Sequence, residues 1–282
     1  GLGLYLSFRI LNITDMTVEG TFPLGAAVAV TLIVHGVNPL LASLAATGAG
    51  MLAGLVTGLL TTKGKIPSLL AGILTITAAY SINLRIMGKS NTSLLGQTTL
   101  FSNGFLKSLP QYFDSVALGF TVIVIVTVLV IFFLNTDYGQ AFIATGDNPT
   151  MARSMGIRTD RMTIVGLMIS NGMVGLGGAL IAQSNGYADI NMGIGTIVIA
   201  LASIIIGEVA FGELTLGQRL VAVTLGSILY RLILLAVLQL GFSANDLNLL
   251  SAIVLALCMM IPQIDWILNI KKPILKGVAT HD

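Results

Sequence analysis

Charge is what this chain has least of. Lys, Arg, Asp and Glu together make up 9% of its 282 residues, against about 25% in a soluble domain. That deficit excludes an ordinary water-soluble fold. Only one cysteine is present, Cys258 in an apolar run, so neither a disulfide framework nor a Cys-based metal site is available. Free cysteine is commonly a small buried residue, and Cys258 reads as one. Histidine is nearly absent as well. His35 sits in a turn and His281 at the terminus, and no Ser-His-Asp pairing or metal-ligand spacing can be built on them. Neither a phosphate-binding P-loop nor a dinucleotide fingerprint occurs, so the chain itself has no site for hydrolysing ATP.

What is abundant is apolar mass, 55% of the residues, with a mean hydropathy of +0.94. A bilayer core of about 30 Å needs about 20 apolar residues per helix, which allows roughly 8 to 10 spans. The 32 glycines favour close helix packing and broken helices over a β-barrel. The expected fold is all-α, a polytopic transmembrane helical bundle treated as one permease-type domain over 1–282. The net charge of +2 comes from basic residues at segment ends, which reads as topology and not as nucleic-acid binding. Lipid is the expected surroundings.

Reading along the chain, 1–11 is the end of a span, interrupted by the polar stretch 12–20. The chain starts at Gly1 already inside this apolar segment, which suggests a missing upstream stretch. Residues 21–34 are apolar but short for a crossing. Pro39 suits the start of the next helix. Spans are expected over 40–61, 66–82, 116–134, 162–182, 220–240 and 247–261, with a shorter apolar segment at 196–206. Residues 85–115 read as an external loop with a short interfacial helix near 101–109. Residues 207–217 read as a polar turn in which Glu208 and Glu213 are solvated. Arg231, inside a span, is expected to snorkel.

The stretch 135–161 (NTDYGQAFIATGDNPTMARSMGIRTDR) is the most informative. It divides the first half, 1–134, from the second, 162–264. Arg153, Arg158 and Arg161 place it in the cytoplasm, together with the lysine-bearing tail 265–282. Asn148-Pro149 signals a helix start, and Thr150 to Met155 can form a short helix. Gly156 suits its end, and Asp147 near its N-terminus suits the helix dipole. Such a knob is where a soluble motor could grip, although an ordinary amphipathic loop would look much the same.

A weak internal echo accompanies this organisation. Asp15 precedes a short helix starting near Gly20, and Asp189, 174 residues later, precedes one starting near Gly195. Paired interrupted segments point to a substrate pathway in transporters. Asp15 and Glu19 lie four apart and would share a helical face. A charge at that depth is expensive unless it lines water or finds a partner. Asp15 and Asp189 can equally be helix caps; both readings stand. Thr17, Tyr187 and Asn191 are polar neighbours with the same two readings. As an alternative, Asp15, Glu19 and Asp189 would be the coupling carboxylates of an ion-driven secondary transporter.

Gly146 to Met162, GDNPTMARSMGIRTDRM, resembles the cytoplasmic loop of ABC-importer permeases for branched-chain amino acids and ribose-type sugars. Thr14 to Gly20, TDMTVEG, resembles a conserved-type segment of the sugar permeases, from which it departs by the inserted Glu19. The second half, from GGALIAQSNGYADINMGIG to GEVAFGELTLGQRLVAVTLGSILYRLI, is also similar, with Ile206-Gly207-Glu208 where a Leu-Gly-Gly turn is usual. The wording DMTVEGTFPLGAA looks closest to a branch associated with lipoprotein binding partners and tryptophan- or tyrosine-like substrates. The resemblance implies a multi-pass permease of a bacterial inner membrane, importing a small solute, with an aromatic amino acid favoured over a sugar or nucleoside. It implies no cofactor on this chain, with ATP and Mg on separate ATPase subunits. It also implies a second permease copy and an extracellular or periplasmic substrate-binding protein. Asp147, Asn148, Pro149, Arg153, Met155 and Gly156 would then contact the ATPase.

Overall fold

The computed structural model describes residues 1–102, 113–212 and 214–239, with isolated positions between 249 and 260. The expected span over 247–261 is therefore described only in part. Glu213, Cys258, the tail 265–282 and most of the interfacial helix near 101–109 lie outside the described residues.

A short helix α1 (Leu2–Leu4) runs on as π-helical turns over Tyr5–Ile10. After a break come α2 (Val18–Val34), α3 (Pro39–Thr62), α4 (Ser68–Met87) and the strand β1 (Asn91–Ser93). Then follow α5 (Phe113–Leu134), α6 (Asp137–Asp147), α7 (Pro149–Ser154), α8 (Thr159–Asn185) and the strand β2 (Tyr187–Asp189). A 3-10 turn over Ile190–Gly193 leads to α9 (Thr196–Phe211) and α10 (Leu216–Gln239). Among the described residues, six helices are long and apolar enough to cross a membrane, and Val18–Val34 is a shorter apolar helix. At 1.5 Å per residue the latter reaches about 26 Å.

Local chemistry sets the boundaries. Asn38 Oδ1 accepts the Leu40 N–H at 2.9 Å, with Pro39 in the first helical turn, so α3 starts where expected. The span expected at 66–82 runs five residues further, through Asn83 and Arg85. It ends only where Gly88, at φ +68°, turns the chain left-handed and gives its N–H to the Leu84 carbonyl. The polar turn expected over 207–217 also shrinks, because α9 continues through Gly207 and Glu208 to Phe211.

The described chain falls into two compact units, 2–197 and a second made of 198 onward with Gly1. At the heart of the larger unit, α3 and α8 lie antiparallel at backbone contact. Ala46, Gly50, Gly54 and Gly58 line one face of α3. A side chain at Gly50 would strike the Asn171 carbonyl, and one at Gly54 the Leu167 carbonyl; one at Gly58 would come within 3.0 Å of Ile164 Cα. Bilayer tails are as apolar as leucine, so helices gain little from burying leucines against each other. Close approach through small residues is what holds them. Helix α2 joins in the same way, with Gly25 against Gly175 and Phe22 against Gly178, and its Gly20 sits on Ile76 and Ala79 of α4. The large apolar side chains instead point outward, among them Leu40, Leu44 and Leu52 on α3 and Phe120, Leu129 and Phe132 on α5.

The two ends of this unit differ. Lys63 and Lys65 follow α3, whose last turns meet the start of α8 beside Arg158 and Arg161. By the positive-inside rule that basic end is the one expected to face the cytoplasm. At the opposite end, the loops after α4 and α8 are stapled by β1 and β2, antiparallel with Thr92 opposite Ala188.

In the smaller unit, α9 and α10 cross at Gly207 and Gly226. A side chain at Gly207 would strike the Ala222 carbonyl. Gly207 is thus a packing residue inside a helix, which is why the turn expected there does not form. Ala202, Ile206, Tyr230 and Leu234 make this unit's core, and Arg231 is exposed on α10.

Candidate functional site

The break before α2 is where the sequence placed Asp15, and it is fully interior. Asp15 is 4% exposed. Its Oδ1 accepts the Thr17 N–H at 3.0 Å, and its Oδ2 accepts from Asn171 Nδ2 at 2.7 Å. Asn171 lies twelve residues into α8, about 18 Å along the helix from its start. The carboxylate is thus held near the middle of a helix long and apolar enough to cross a membrane. Hydrogen bonds to the charged form offset part of the cost of removing it from water.

Around this pair a polar cluster ties four helices together. Thr21 Oγ1 donates to Asn171 Oδ1 at 2.9 Å. Thr17 Oγ1 lies 2.8 Å from Thr57 Oγ1 on α3, which donates to Thr75 Oγ1 on α4 at 2.8 Å. Asn171, Thr21, Thr57 and Thr75 were not singled out in the sequence, where they look like scattered polar residues in apolar runs. The signal that would have found Asn171 is a lone amide in a membrane helix, since such groups need partners.

Asp15 and Glu19 do not share a helical face, because α2 begins only at Val18. Asp15 stays in the coil and turns to α8. Glu19 lies in the first turn, and its Oε1 accepts the Gly195 N–H at 3.1 Å. Gly193 packs against the Glu19 carbonyl, which Pro23, four residues on and lacking an N–H, cannot pair within the helix. Asp189 sits elsewhere. It ends β2 and caps the following turn, accepting the Asn191 N–H at 2.7 Å and Asn91 Nδ2 at 3.2 Å. Tyr187 and Asn191 are exposed beside it. The structure therefore joins Asp15 with Thr17 and Glu19 with Gly195. It leaves Asp189, Tyr187 and Asn191 at the outer, stapled end. Among the described residues no group of three or more His, Cys, Asp or Glu is placed to hold a metal ion.

The stretch 135–161 folds into α6, α7 and the first residues of α8. Thr136 caps α6, accepting the Gly139 N–H. Asn148 caps α7, its Oδ1 accepting the Met151 N–H at 2.9 Å, and Pro149 takes the first helical position. Asp147 is the exposed last residue of α6. Helix α7 ends at Ser154, with Met155 as its C-cap and Gly156 at φ +84°. Only Ala152 of α7 is buried, whereas Met151 is 57% and Met155 69% exposed. Arg153 is exposed, and its head group is also tied to the loop. Its Nε donates to Thr159 Oγ1 at 2.7 Å and its Nη2 meets Asp160 at 3.3 Å, closing the loop onto the first turn of α8. The knob is thus a rigid, helix-capped unit presenting two methionines, flexible side chains suited to an apolar docking pocket.

Comparisons with known proteins agree with this architecture. Residues 1–261 match the family described as branched-chain amino acid transport system / permease component. A tyrosine transport system permease protein of Clostridioides difficile is 41% identical over 254 residues, 90% of this chain and 83% of that protein. An uncharacterized protein of Rickettsia prowazekii is 36% identical over 258 residues, 90% of this chain and 89% of its own. An autoinducer 2 import system permease protein of Escherichia coli is 30% identical over 163 residues, 57% of this chain and 46% of that protein. No solved structure matches. With all but its last residues covered by the family, this chain belongs to the permease components of branched-chain amino acid transport systems, ABC-type subunits of the bacterial inner membrane.

Proposed function

We propose that this permease forms the translocation path of an ATP-driven importer for an aromatic amino acid. The observation that carries the reading is the 41% identity, over nine-tenths of the chain, to a tyrosine transport permease. In support, the buried polar side chains among the described residues are hydroxyls, amides and one tied carboxylate, with no arginine. That suits a zwitterion better than a polyanion, which would call for charge-assisted hydrogen bonds.

In this reading two copies of the chain pair in the membrane. A substrate-binding protein delivers solute at the end stapled by β1 and β2. ATPase subunits, which hold ATP and Mg, grip α7. Met151 and Met155 make the contact, and Arg153 holds the loop's shape. Movement of α7 passes into α8 through the Arg153–Asp160 clamp and reaches the break at Asp15 through Asn171. For such coupling, nucleotide and solute must each prefer one conformer.

Replacing both methionines, Met151→Asp with Met155→Asp, is expected to cut co-purification of the ATPase by more than about ten-fold, as loss of an apolar anchor does at interfaces. The permease itself should still insert and melt as the parent does. Undiminished co-purification would remove α7 as the docking knob. For the substrate, uptake into vesicles carrying the complete complex decides. ATP-dependent accumulation of tyrosine or tryptophan is expected. Accumulation of a sugar or nucleoside without either amino acid would sink the substrate assignment, and uptake driven by an ion gradient without ATP would sink the ATP-driven one.

A further inference from the structure

Three side-chain amides are deeply buried among the described residues: Asn83, Asn171 and Gln183. Two are fully engaged. Asn171 serves Asp15, Thr21 and the Leu167 carbonyl; Gln183 donates to Ser43 Oγ at 2.8 Å and accepts from the Leu100 N–H. Asn83 is 1% exposed, and neither its Nδ2 nor its Oδ1 has a partner. A buried amide with both ends unsatisfied is costly and rare. A leucine of similar size would cost nothing there, so the amide calls for a use.

Its position suggests one. Asn83 belongs to the inward stripe of α4 formed by Ala71, Gly72, Thr75, Ala79, Asn83 and Met87. It stands four residues before the outer end of the helix. Its neighbours Leu84 and Met87 share an apolar cluster with Leu94, Ala188, Ile190 and Met192 of the stapled loops. Thr92, opposite Ala188 in the two-stranded pair, carries a second buried hydroxyl without a partner. Two stranded polar groups therefore lie at the outer end of one unit, beneath the segment 187–193. Gly20 of α2 packs on Ile76 and Ala79 of α4; nearer Asn83 the two helices meet through Val30 and Ile33 against Leu84, Ile86 and Met87, with Thr31 Oγ1 donating to the Ile86 carbonyl at 3.4 Å.

We propose that Asn83 is a solute-binding residue of the translocation path, closed off in this conformer and uncovered when the 187–193 segment and α4 part from α2. Its amide offers an NH2 group that can donate to the carboxylate and a carbonyl oxygen that can accept from the ammonium of an amino acid. The proposal rests on the import reading above, and its test separates the two. Asn83→Leu, in proteoliposomes holding the complete complex, is expected to cut tyrosine uptake at least ten-fold at low tyrosine while the permease melts at or above the parent's temperature. Uptake within two-fold of the parent would overturn the proposal. A second measurement does not depend on that variant folding. In a Cys258→Ala background, Asn83→Cys is expected to react with a membrane-impermeant maleimide added from outside, more slowly when tyrosine and the binding protein are present. No reaction, with or without ATP turnover, would overturn the proposal too. Protection by a different solute, with none by tyrosine, keeps the site and sinks the aromatic amino-acid assignment.

Discussion

Gly54→Val is expected to leave almost no folded permease in the membrane. The new side chain would meet the Leu167 carbonyl and backbone of α8, where neither partner can swing aside. The collision is between two helix backbones, so relief requires moving α3 off α8 and giving up the contact that organises the larger unit. Losses beyond about 4 kcal/mol arise from such cases. The control lies on the same helix. Gly48 has open space where a side chain would stand, and Gly48→Ala is expected to hold or raise stability by up to about 1 kcal/mol through helix propensity. Yield and melting temperature of the two variants after detergent extraction give the comparison. Parent-like yield of Gly54→Val would show that α3 and α8 do not depend on backbone contact.

The second large effect is expected at Asn171. Asn171→Leu keeps the volume of the side chain and removes both the donor to Asp15 and the acceptor for Thr21. A buried carboxylate left without its side-chain donor costs about 3 kcal/mol or more. The variant should melt well below the parent and transport poorly. Adding Asp15→Asn to it should recover part of the stability, because the uncompensated charge is gone. If Asn171→Leu alone melts with the parent, the Asp15–Asn171 pair contributes nothing to the fold. If the double variant is no better than the single, the charge is not the cause of the loss.

Much of this architecture was legible in the sequence because apolar length and helix caps are local. Pro39 and Asn148-Pro149 announced helix starts that the structure places where expected, and Gly156 ended α7 as its tolerance of positive φ suggested. Asp15 and Asp189 were each read as a cap or a pathway contact; both accept the N–H two residues on, Asp189 as the N-cap of its turn and Asp15 ahead of Thr17, the N-cap of α2. What failed was the meaning of glycines and lone polar residues, which is decided by partners far along the chain. Gly207 read as a turn, yet it is helical because Ala222 presses on it. Asn171 was silent until α8 was laid against the break at Asp15. Arg153 is exposed, and its bonds to Thr159 and Asp160 are ones its position in the sequence did not announce. The pairing of Asp15 with Glu19 failed for a local reason, since the helix begins after the first of them.

The bond between Asp15 and Asn171 spans 156 residues of sequence, and that distance is also a delay. At about 5–20 residues per second, Asn171 is added about 8–30 s after Asp15. During that time α2 is a 17-residue apolar helix preceded by a carboxylate that has only the Thr17 amide and water to satisfy it. Its first position at the membrane is therefore provisional. The start of α2 can settle at its final depth only when α8 arrives with the amide it lacks, so the opening segment of the chain is among the last parts of the bundle to be completed.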